Sequence, residues 1–112
     1  MRTKIVTIPA NEIVDWQSFH SVFQVALGFP AFYGHNLDAW IDCLSYLDEP
    51  STEMMTFSVA AGEIAALRID NAISFMRRCP EQYDALIECA ALVNDRRVAA
   101  GCEPILTLMF VS

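Results

Sequence analysis

Between Lys4 and Arg68 the sequence has no lysine or arginine, yet that span carries eight acids: Glu12, Asp15, Asp38, Asp42, Asp48, Glu49, Glu53 and Glu63. Over all 112 residues fourteen acids face seven bases, a formal charge of −7. That balance repels phosphate backbones and excludes the ordinary electrostatic mode of nucleic-acid binding. It suits a basic partner, and it also serves solubility. No stretch approaches the roughly 20 apolar residues that cross a bilayer, so no membrane role is expected. Arg2 and Lys4 lead into a short Ile-Val strand pattern and not into the apolar run of a signal peptide. Cys43, Cys79, Cys89 and Cys102 lack C-x-x-C spacing. Cys43 and Cys89 fall in helix-like patterns, where a free thiol acts as a small buried hydrophobe, so reduced cysteines and a cytoplasmic setting are expected. The usual enzyme signatures are missing too: no G-x-G-x-x-G, P-loop, H-E-x-x-H or G-x-S-x-G occurs. The only two histidines, His20 and His35, lie in different environments. No catalytic residue, metal or cofactor is expected.

What is present is hydrophobic substance. At 54% hydrophobic residues the chain can bury a real core, and its length suits a single domain over residues 1–112. Lys4 to Ile8 reads as a first strand stopped by Pro9. Asp15 caps a helix with the apolar stripe Trp16, Phe19, Val22, Phe23, Ala26 and Leu27, ended by Gly28 and Pro30. His20 lies opposite that stripe with Gln17, Ser21 and Gln24, and is expected to be a solvated surface histidine. After a loop, Asn36 caps a second helix to about Leu47, with Leu37, Trp40, Cys43, Leu44 and Leu47 inward. Met54 to Val59 is the next strand candidate, and Glu63 to Arg68 reads as either a short strand or a helical turn. Asp70 is placed as the cap of a helix over Asn71 to Arg78. Pro80 opens a last helix with Tyr83, Leu86, Ile87, Ala90 and Val93 on one face, and Gly101 ends it. Ile105 to Val111 is continuous in apolar character, as for a strand covered on both faces. Strands alternating with helices predict an α/β fold, a small three-stranded parallel sheet packed with about four helices.

Asp38, Asp42 and Ser45 follow one another along the second helix at spacings of four and three. Paired carboxylates can perform acid–base chemistry, but neighbours on an exposed face lack the desolvating pocket that raises a carboxyl pKa. Like charges four apart also destabilise a helix by roughly 0.2–0.5 kcal/mol. Asp38 offsets part of this from the first turn, near the positive end of the helix dipole. Asp42 is mid-helix and has no basic neighbour three or four positions away. Solvated surface and a binding role both remain open for it on spacing alone.

The segment Phe32-Tyr33-Gly34-His35-Asn36-Leu37-Asp38-Ala39-Trp40-Ile41-Asp42-Cys43-Leu44 resembles the core signature of the barstar family of intracellular ribonuclease inhibitors. Tyr33, Gly34, Asn36, Leu37, Asp38, Ala39, Asp42, Cys43 and Leu44 match that signature in register. The resemblance implies a barstar-like fold and a non-enzymatic inhibitor that blocks the cationic active site of a basic, barnase-type ribonuclease with residues 32–45. A 1:1 complex of an otherwise monomeric chain is implied, and the matched contact residues are Phe32, Gly34, Asn36, Leu37, Asp38, Ile41, Asp42 and Val93. The acid matching Asp42 takes a substrate phosphate position and the one matching Asp38 lies beside it. Three departures accompany these matches. Phe32 replaces a tyrosine, Ile41 stands where a tryptophan precedes the second acid, and two late acids correspond to Arg96 and Ala100. Arg96 is expected to repel a basic cleft or to pair with an acid on a different ribonuclease. Cys43 and Cys102 match two family cysteines and are expected to be reduced, and Pro50 matches a region where the family has a cis proline. A barstar-like binding or regulatory module without a ribonuclease partner is the alternative.

Overall fold

The computed structural model describes residues 2–49 and 55–112. It is an α/β structure with three parallel strands, β1 (Arg2–Ile8), β2 (Glu63–Ile69) and β3 (Leu106–Phe110). Four helices accompany them: α1 (Trp16–Leu27), α2 (Leu37–Ser45), α3 (Ala72–Arg78) and α4 (Pro80–Ala99), with a 3-10 turn at Ala10–Glu12. The strand order is β1-β2-β3, in register from Arg2↔Glu63 to Ile8↔Ile69 and from Ala65↔Leu106 to Ile69↔Phe110. The two crossovers advance in the same direction, and the right hand that such parallel connections take puts all four helices on one face of the sheet. The inward positions Ile8, Leu67, Ile69 and Leu106 join Phe19, Phe23, Trp40, Leu44, Phe75, Leu86 and Val93 in one core. The other face is left to solvent, and Ile5 on it is 56% exposed.

This one-sided packing corrects the reading of the last strand. Leu106 is buried while Thr107, on the bare face, is exposed, because β3 is an edge strand covered on one face only. Phe110, on the covered face beside Tyr83, is 41% exposed at the strand's end. The middle strand is also relocated. Residues 55–59 form no strand, and Met54 lies outside the described residues, as does Pro50. The stretch instead closes the ends of two helices: Thr56 N–H donates to the Gly28 carbonyl (2.9 Å), Phe57 to Leu27 (3.1 Å) and Val59 to Leu47 (2.9 Å). Its apolar residues are thus satisfied by packing, with Val59 only 4% exposed. The ambiguous segment at Glu63 is the central strand, in which Ala65 and Ala66 fit between neighbours on either side.

Helix boundaries follow local chemistry. Asp15 and Ser18 form a reciprocal capping box at α1, with Asp15 Oδ1 accepting from the Ser18 N–H at 2.8 Å. Gly28 ends α1 in the left-handed region (φ 66°), where a side chain would strain the backbone and strike Thr56. Asp70 is not the cap of α3: its carboxylate takes Arg68 Nε at 2.9 Å, and Asn71 occupies the cap position at φ 56°.

Candidate functional site

Residues 29–36 fold back over the polar side of α1, and this places the candidate surface. Tyr33 is the wedge. It is buried between Phe29 and His35, with ring centroids 4.6 and 5.1 Å away, and its Oη lies 2.6 Å from His20 Nδ1. His20 is therefore 4% exposed, not a surface histidine. Helical spacing assigned it to the polar face correctly, but the loop that covers that face carries no periodic signal. Burial, with help from His35, holds the His20 pKa below its ordinary 6.5, and burial likewise pushes the Tyr33 hydroxyl well above its ordinary range. Gln24 ties the loop down from α1, donating from Nε2 to the Pro30 carbonyl (3.2 Å) and meeting His35 Nε2 with Oε1 (3.0 Å).

With its base fixed in this way, the loop presents Phe32 outward at 75% exposure. Gly34 does not adopt a left-handed φ; His35 does, at 52°. What limits Gly34 is space, since a Cβ there would stand 3.0 Å from Asn36 Nδ2. That amide donates to the Gly34 carbonyl (3.2 Å), while Asn36 Oδ1 accepts from the Ala39 N–H at 2.8 Å and caps α2.

The helix that follows divides cleanly. Trp40, Cys43 and Leu44 face the core, Trp40 edge-on to Phe23 with centroids 5.6 Å apart. Asp38 is exposed, and Leu37, Ile41 and Asp42 are half-buried. Burial, followed by the adjacent Asp42 charge, pushes the Cys43 thiol up to about 11. All four cysteines are free, with only Cys102 exposed, as expected for Cys43 and Cys102. Phe32, Gly34, Asn36, Leu37, Asp38, Ile41 and Asp42 therefore share one loop-and-helix surface. Val93 does not join them, being fully buried beneath α2, so it supports the surface without forming part of it.

Helix α4 lies alongside α2 and brings its arginines to it. Arg97 is structural: its guanidinium grips both Asp48 oxygens (3.0 and 2.9 Å) and donates to the carbonyls of Ser45 (3.1 Å) and Glu103 (2.9 Å). Arg96 is different. Its Nη1 donates to Asp42 Oδ1 at 2.6 Å, with both side chains about half exposed (51% and 49%). Asp42 thus has a counterion from another helix, which the lack of a base three or four residues away could not reveal. Further along α4, burial raises the pKa of Cys89, followed by the charges of Glu88 and Asp38.

No group of three or more potential metal-binding side chains occurs among the described residues, and no described helix is long and apolar enough to cross a membrane. The family model described as Barstar (barnase inhibitor) matches residues 3–107. The chain belongs to the barstar family. A search of curated proteins finds no match.

Proposed function

We propose that this barstar-family chain is a non-enzymatic inhibitor of a microbial, secreted-type ribonuclease, binding it one to one and filling its cationic cleft with the loop and helix of residues 32–45. The observation that carries this reading is the rigid presentation of Asp38 and Asp42 on a side-chain-capped helix beside an outward Phe32. Phe32, Gly34, Asn36, Leu37, Asp38, Ile41 and Asp42 are the contact residues. A cleft built for phosphate offers Arg, Lys and His donors, and a carboxylate supplies charge-assisted acceptors in the same place. A loop anchored through Tyr33 and a capped helix lose little conformational entropy on binding. The free thiols suit a reducing cytoplasmic setting.

The test is inhibition of barnase and related secreted ribonucleases by the wild-type chain and by Asp42→Ala. At least one enzyme is expected to be titrated at a 1:1 ratio, with Asp42→Ala weakening that complex by about 30-fold or more, the usual consequence of removing a buried, hydrogen-bonded interfacial charge. Equal affinities for Asp42→Ala and wild type overturn the reading. A barstar-like module with a partner other than a ribonuclease is the second reading, favoured by the one observation that Asp42 already has a counterion in Arg96. Failure to inhibit any enzyme in the panel supports it.

A further inference from the structure

Consecutive arginines on α4 meet very different surroundings. Arg97 is nearly buried and satisfied by a carboxylate and two carbonyls, so its role ends with holding α4 to the end of α2. Arg96 makes one hydrogen bond among the described residues, to Asp42, from a half-exposed position on the candidate surface itself. We propose that Arg96 determines which partner this surface accepts: as the intramolecular counterion of Asp42, it disfavours a purely cationic cleft and selects one that carries a carboxylate beside its phosphate-binding cations. This rests on the reading of residues 32–45 as the part that enters a ribonuclease cleft.

The energetics turn on burial, not on the pair in isolation. Exposed ion pairs contribute little to stability, so water opens the Asp42–Arg96 contact easily in the free chain. A partner that covers the surface changes this. Asp42 then needs cations, and the guanidinium beside it is driven out of water against charges of its own sign, which is costly. A carboxylate on the partner, placed next to those cations, accepts the guanidinium and turns the penalty into a second charge-assisted contact. The surface is consequently not uniformly acidic. Asp42 is paired with a positive group, one turn from the exposed Asp38 on the same helix, and recognition requires the complementary arrangement of signs.

Barnase serves as the cationic probe, titrated with wild type, Arg96→Ala, Arg96→Glu, Asp42→Ala and the double variant Asp42→Ala/Arg96→Ala. Arg96 is exposed, so these variants retain the fold. Arg96→Ala is expected to bind about tenfold tighter than wild type, and Arg96→Glu tighter again. In the Asp42→Ala background Arg96 is no longer held at the site, and its removal is expected to gain less than about threefold. Unchanged affinity on Arg96→Ala, or a gain equally large without Asp42, overturns the role of Arg96 while leaving the inhibitor reading in place. No barnase binding by any variant overturns the role of Arg96, and only the further failure to inhibit every enzyme of the ribonuclease panel overturns the cleft reading as well.

Discussion

A buried imidazole next to a phenol makes the loop sensitive to acid. His20 meets Tyr33 Oη and packs on Phe19 and Tyr33, with ring centroids 5.2 and 5.6 Å away. Desolvation, then His35, lowers its folded-state pKa. The folded chain binds the proton less readily than the unfolded one, so this residue's contribution is full above pH 6.5 and declines as pH falls through 6.5 toward the lowered value. Urea unfolding of wild type and His20→Gln between about pH 7.5 and 5 checks this. Wild type is expected to be the more stable at pH 7.5, with the difference shrinking on acidification; a gap independent of pH contradicts a depressed pKa. At this scale the sequence was legible where a side chain's role is local. Asn36 as a cap and Cys43 as an inward thiol follow from position in the helix. His20 was misread because its role is set by Tyr33, 13 residues away, and the contact of Arg96 with Asp42, 54 residues apart, was equally invisible to helical spacing. Val93 shows a different limit, since a position matched to a family contact was in this chain also part of the apolar stripe of its helix, and the core claimed it.

Elements with strong periodicity and clear stop signals were readable almost to their ends. Helix α1, bounded by Asp15 and Gly28, and α4, opened by Pro80, are examples. The middle strand was not, because Met55, Phe57 and Val59 have the alternation of a strand but spend it on helix ends, while the true β2 includes two alanines of low strand propensity. Local alternation cannot say which segment will find partners on both sides; the topology decides that. The cap of α2 is the element whose failure would matter most to the site, because the orientation of Asp38 and Asp42 is that of the helix. Asn36→Ala frees the Ala39 N–H and is expected to cost about 1 kcal/mol, read as a lower urea midpoint with an unchanged slope. Asn36→Asp keeps an acceptor at the cap and is expected to recover most of the loss. Gly34→Ala crowds the Asn36 amide at 3.0 Å and is expected to cost less than Asn36→Ala, since a few tenths of an ångström of movement relieve it. A larger loss for Gly34→Ala means that the amide has no room to yield.

Across the whole molecule, the topology and the charge act together. Same-direction crossovers leave one sheet face bare and stack the helices on the other, so α2 and α4 lie side by side and meet solvent along a shared edge. Of α1 and α2 only α2 carries acids, Asp38 and Asp42, and of the two arginines that α4 brings to it Arg97 is nearly buried while Arg96 stays half exposed. A net charge of −7 gives the protein a negative field that reaches about 10 Å in 0.1 M salt and farther as salt is lowered. A basic ribonuclease is then attracted before it is recognised, and the two stages respond differently to salt. Steering depends on the summed field, so raising NaCl from about 20 to 500 mM is expected to slow association with barnase by about an order of magnitude or more. Dissociation depends on contacts already formed and shielded from solvent, and is expected to change far less. Glu12→Ala, on the turn packed against α1 and α3 away from α2, removes part of the field and no proposed contact. It is expected to lower the association rate slightly, shift the affinity by less than about 1 kcal/mol, and leave dissociation unchanged. Stopped-flow association and competition-based dissociation at the two salt concentrations separate these effects. An association rate indifferent to salt contradicts steering by the acidic half, and a dissociation rate that rises as steeply as association falls means that the contacts of residues 32–45 remain in water within the complex.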